Sequence, residues 1–133
     1  MYKTVLILIL GLFFISNAAT KKEIKLLNVM QGMEKDAVFI LKGFLRNNNK
    51  WIIKGAEDIE KHPDIIEKIY SYARPERRTE AFKKYIVEFD NFVRKEAKAI
   101  KKYIKEGNKG KASQHFAKML DRCNGCHAVF RGW

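Results

Sequence analysis

The sequence has little of what builds sheets, tight turns or disulfide frameworks. Only 2 prolines and 8 glycines punctuate its 133 residues, and no stretch keeps up an alternation of apolar and polar positions. Strands joined by hairpins are therefore not expected. There are 2 cysteines, Cys123 and Cys126, three positions apart. A disulfide between them would close too small a loop to stabilise much through chain entropy, so the pair calls for a chemical explanation. Acid is scarce as well: 15 Asp and Glu stand against 27 Lys and Arg, a net charge of +12. The basic residues are scattered and form no dense block, which argues against a nucleic-acid-binding protein. They read as a solvated surface that can also steer docking to an acidic partner. The length suits one domain with a modest core.

Long hydrophobic runs are absent but for one. Residues 5–15 are apolar apart from Gly11, with Lys3 before them and Ser16-Asn17-Ala18-Ala19 after them. Positive start, apolar middle and small-residue end make the three-part pattern of a secretory signal peptide, cleaved after Ala18 or Ala19. The competing reading is a retained anchor, but the run is about half of the ~20 residues a bilayer requires. Residues 1–19 are thus assigned as signal peptide and residues 20–133 as the mature domain. The expected location is the periplasm, with no stable membrane anchor after cleavage.

What the chain does have is helix. Leu26, Met30, Met33, Ala37, Ile40 and Phe44 recur at spacings of four and three, one stripe of a helix over residues 21–46. Asn47-Asn48-Asn49 ends it and supplies a cap for a second helix over 50–61, with Trp51, Ile52, Ala56 and Ile59 on its apolar side. Pro63 interrupts at His62, and residues 64–72 suit a short extra helix. Pro75 is a good first-turn residue for a long helix to Glu106 carrying Phe82, Ile86, Phe89, Val93, Ile100 and Ile104, a stripe with a gap of one turn. Gly107-Asn108 stops it. A last helix over 111–130 places Ala112, Phe116, Met119, Cys123, His127 and Phe130 on its inner face. Four amphipathic helices with short links predict an all-α, antiparallel up-down-up-down four-helix bundle. The start of the first helix then lies beside the end of the last, so Met30 and Met33 share one end with the Cys/His cluster. His62 and His115 are expected to be ordinary polar residues.

Cys123-Asn124-Gly125-Cys126-His127 is the attachment signature of a c-type haem. Each thiol can add to a vinyl group, and the imidazole that follows can reach the iron as a neutral nitrogen ligand. A thioredoxin-like pair belongs beside a βαβ pattern, which is lacking here. A structural zinc site needs about four ligands, and no second Cys/His pair is near. A plain local disulfide is the remaining alternative.

With the run on to Ala128-Val129-Phe130-Arg131, the C-terminal motif and the basic residue four after the histidine resemble the class II cytochromes c, the family of cytochrome c′ and its low-spin relatives. The resemblance covers the mature chain as a helix pattern and is specific in residues at the motif. Only six residues follow His127, which leaves no place for the downstream methionine ligand of ordinary class I cytochromes. The resemblance implies a four-helix bundle, one covalent haem c held by Cys123 and Cys126, His127 as proximal iron ligand, and a homodimer built on the first two helices.

The resemblance also implies that a residue of the first helix faces the iron. Methionine there gives a six-coordinate electron carrier of a respiratory chain; a non-ligating residue gives a five-coordinate haem that binds nitric oxide or carbon monoxide. The candidates are Leu27, Met30 and Met33. Met30 is preferred for its place on the stripe, Met33 lies one turn deeper, and both can instead be core filler. The family often carries Arg four residues before this position, where Leu26 stands here relative to Met30. Met119 is set aside, because eight residues of helix, roughly 12 Å, separate it from His127. Arg131 is a candidate contact of the proximal imidazole or a haem propionate, or simply a cation at a helix C-terminus. No acid–base constellation suggests an enzyme. The expected partner is a redox protein, with an acidic one favoured by the charge.

Overall fold

Stripe spacing and turn chemistry decide where the helices begin and end. The computed structural model describes residues 21–62 and 65–131, and side-chain surroundings for 25–62 and 68–130. The expected signal peptide, residues 1–19, lies outside the described residues. Those described are helical with no strand among them: α1 Lys21–Leu45, α2 Asn49–Lys61, α3 Ile65–Tyr72, α4 Glu80–Lys105 and α5 Lys109–Arg131, with a 3-10 turn at Pro75–Arg77 before α4.

The links α1–α2 and α4–α5 are built alike. Asn47 takes a positive φ of 54°, and the Asn48 N–H reaches back to Gly43 O at 2.8 Å. Gly107 takes φ 74°, and the Asn108 N–H reaches Tyr103 O at 2.8 Å. This six-to-one closure satisfies carbonyls the helix end leaves orphaned. The same asparagines then start the next helix: Asn48 Oδ1 accepts from Trp51 N at 3.2 Å and Asn108 Oδ1 from Lys111 N at 3.0 Å. The two turns are neighbours, since Lys109 Nζ donates to Asn47 Oδ1.

The α4 start departs from expectation. Pro75 does not open α4 but forms its own 3-10 turn, and α4 begins at Glu80. Thr79 Oγ1 accepts from Phe82 N at 3.1 Å, so a capping hydroxyl four residues later competes with the proline and wins. Arg77 and Arg78 leave this turn to bond other elements. Arg77 donates to Val129 O and Phe130 O near the end of α5, and Arg78 to Ala73 O and Ser71 O.

Packing runs α1 on α2, α2 on α4 and α4 on α5, with α3 against α1 and α4. The first approach is close. A Cβ on Gly55 would lie 2.8 Å from Asp36 O and 2.7 Å from Ile40 Cγ1, so only glycine fits. Ile40, Ile52, Ala56, Phe89, Val93, Ala97, Ile100, Ile104, Phe116 and Met119 form the main core. A second cluster, Ile69 and Ile86 with Leu26, Met30, Tyr85 and Phe130 against them, lies toward the other end of the helices. The expected gap in the α4 stripe is filled by buried Ala97 and by buried Glu96, whose carboxylate meets His115 Nδ1 at 2.6 Å. α1 and α5 pack on each other far less than on their neighbours, and the space between them holds the site.

Candidate functional site

α5 delivers the cysteines. Met119, Cys123, Cys126 and Phe130 follow at spacings of four, three and four, so one stripe of the helix carries them all. Cys126 is buried, Cys123 and His127 partly so, and neither cysteine is in a disulfide. α1 faces them with Leu27, Met30 and Met33.

Two cavities open between these helices. One, of about 260 Å³, is bounded by Leu26, Leu27 and Met30 of α1, Ile69 and Tyr72 of α3, and Cys126, His127 and Phe130 of α5. The other, of about 340 Å³, runs under Met33 and Ala37, over Ile59, Phe89 and Val93, to Met119, Leu120 and Cys123. Leu27, Met30, Cys126 and His127 bound both. The cavities are thus two lobes of one cleft, with Met30 and His127 between the lobes. The lining is apolar but for His127, Tyr72, Gln31 and Glu34, and the size is that of small-molecule sites, roughly 300–1,000 Å³.

Burial disfavours charge on the thiols. It pushes Cys123 up to about 11, with Cys126 beside it adding to the rise. Cys126 is raised by burial too, but the Arg122 guanidinium partly offsets this. Arg122 sits one turn before Cys126, over the rings of Tyr85 and Phe92 at 5.1 and 5.7 Å, and its Nε is buried without a hydrogen-bond partner. Tyr85 is raised in turn, chiefly by burial and then by Cys126. No group of three His, Cys, Asp or Glu among the described residues is placed to hold a bare metal ion.

Cys123, Cys126, His127, Met30 and Met33 all border the cleft; Cys123 and Met33 reach only the larger lobe. Arg131 ends α5, and its side chain lies outside those described. Of the aromatic residues, Tyr72, Phe89 and Phe130 line the cleft, whereas Phe116 packs on Phe44 with ring centres 5.8 Å apart. His62 and His115 face carboxylates elsewhere, Asp36 at 2.8 Å and Glu96 at 2.6 Å. Two contributions were not foreseen. Ile69 and Tyr72 close one lobe from the short α3, whose position a sequence does not reveal. Arg122 carries a signal that was there to read, a cation one turn before the second cysteine. Comparison with protein-family models, curated proteins and solved structures finds no match.

Proposed function

We propose that this chain is an exported c-type cytochrome, a four-helix bundle of the class II kind, that carries single electrons between redox proteins. One observation carries the reading. Cys126 and His127 of the attachment motif and Met30 of α1 bound the same apolar cleft from opposite sides. The fit is chemical as well as spatial. A haem c requires two thiols on one helical turn, an imidazole beside them, and an apolar slot that excludes water; a thioether donor opposite completes a six-coordinate iron. All of these are residues of this cleft. The haem would supply a one-electron ferric/ferrous couple. The chain's own part is to hold it by thioether links through Cys123 and Cys126, to offer His127 on one side and Met30 on the other, and to keep water away with Phe89, Val93 and Phe130.

The helix order supports the bundle. Both three-residue links lie at one end, the motif lies toward the other, and α3 is an insertion in the connection from α2 to α4. Residues 1–19 are read as the export signal, and the periplasm as the destination. The protein is read as a carrier, not an enzyme, with an acidic redox partner.

A second reading keeps the haem but leaves the iron five-coordinate and open to nitric oxide or carbon monoxide. It is favoured by Leu27, a non-ligating side chain that borders both lobes just as Met30 does. Optical and EPR spectra after expression with a haem-attachment system separate the two. Low-spin iron indifferent to carbon monoxide supports the carrier, and high-spin iron that binds it supports the alternative. Met30→Ala is expected to convert the low-spin spectrum to high-spin; an unchanged low-spin spectrum excludes Met30 as the ligand.

A further inference from the structure

The fold brings together part of the positive charge that the sequence scatters. Residues 42–50 and 102–111 hold seven Lys and Arg and a single acid, Glu106, which meets Lys102 at 4.0 Å. Along the middle of the helices, by contrast, cations meet carboxylates: Lys54 with Asp58, Lys84 with Glu88, Arg94 with Asp90, and Lys98 and Lys101 with Glu60. The two basic segments are the neighbouring turns joined by Lys109 and Asn47, so their charge adds at one end of the molecule. Lys42, Arg46, Lys50, Lys102, Lys105 and Lys111 are exposed there. Arg46 lies over the Trp51 ring at 5.3 Å and Lys111 over Tyr103 at 5.3 Å, which holds their charged heads in place. Among these cations Leu45 stands out into solvent, 77% exposed, with Leu41 one turn behind it.

We propose that this basic end docks the protein on an anionic lipid bilayer, with Leu45 set between the head groups. Two adjoining turns present their cations together, which suits an extended sheet of charge. Lysine is a point charge on a flexible stem and needs no directional partner, as suits mobile head groups. A protruding leucine ringed by cations combines the two attractions that hold interfacial segments, apolar burial and anionic lipid. An acidic protein would satisfy the lysines but gives Leu45 no reason to be out. Met30 precedes Leu45 by 15 residues of helix, roughly 22 Å, so the cleft stays clear of the surface and open to a second protein. This proposal does not rest on the haem reading.

The test is co-sedimentation of the purified full-length protein with vesicles of phosphatidylcholine alone or with added phosphatidylglycerol, at low and high salt. Any binding through the apolar segment 5–15 is common to both vesicles, so the gain from phosphatidylglycerol reports the charge. The expected result is a salt-sensitive gain, reduced on the order of 100-fold in the triple variant Lys42→Gln/Lys50→Gln/Lys105→Gln and about tenfold in Leu45→Ser. The control triple Lys25→Gln/Lys68→Gln/Lys83→Gln removes the same charge elsewhere and is expected to keep most of the binding. Circular dichroism checks that each variant is folded. Equal losses in the two triples would reduce the effect to net charge and overturn the proposal. So would wild-type protein that ignores phosphatidylglycerol yet is retained on immobilised polyglutamate. A Leu45→Ser variant that turns from dimer to monomer in sedimentation, with vesicle binding intact, assigns Leu45 to a second copy and overturns it too.

Discussion

Cys123 holds its proton in the folded chain up to about pH 11, because the thiolate would be buried among apolar side chains. A thiol raised this way lowers stability once the pH passes its unfolded value, since the unfolded chain then releases the proton more readily. In haem-free protein, the cost of Cys123 is absent below about pH 9 and grows toward pH 11 to on the order of 2 kcal/mol. Urea unfolding at stepped pH checks this: the alkaline loss is expected to be smaller in Cys123→Ala than in wild type. Alkylation of Cys123 is expected to be slow at pH 8 and to quicken with each step of pH toward 11. The residue scale is also where the sequence was most legible. Five motif residues fix thiols and imidazole on one helical turn whatever else the fold does. The surroundings of Arg122 were not legible, because Tyr85 and Phe92 come from another helix and only tertiary packing brings them over its guanidinium.

Among elements, the α1–α2 contact depends on a missing side chain. Gly55→Ala would push a methyl group against the Asp36 carbonyl and Ile40, neither of which is a flexible tip. The expected loss is on the order of 1–3 kcal/mol, typical of overpacking, read as a lower urea midpoint with an unchanged slope. Thr79→Ala removes the α4 cap and is expected to cost about 1 kcal/mol. The period of four and three revealed α1, α2 and α5 to within a few residues, since each buries one continuous stripe. It misplaced the α4 start, because Pro75 and Thr79 are both lawful starts and only the backbone decides between them. Nor did it foresee Glu96 in the core, where a charged residue depends on His115 from α5. His115→Ala is expected to destabilise by on the order of 1–3 kcal/mol, since it leaves a buried carboxylate without that partner.

At the scale of the whole molecule, two ends differ in chemistry. One carries the apolar cleft with the thiols, the imidazole and Met30; the other carries two adjoining basic turns and Leu45. That α1 and α5 are neighbours across a gap followed from short links and helix count, so the pairing of Met30 with the motif was legible in outline. The gap itself was not. It exists because α1 and α5 each pack on their own partner, α2 and α4, more closely than on each other, and because α3 inserts Ile69 and Tyr72 beside it.

The claim that a haem is held at Cys123, Cys126 and His127 is tested most directly by the intact mass of the protein after expression with a haem-attachment system and acid–acetone extraction. The expected result is a gain of one haem that survives extraction and is absent in the Cys123→Ala/Cys126→Ala variant. An unmodified mass, with both thiols still titrating, would contradict the account.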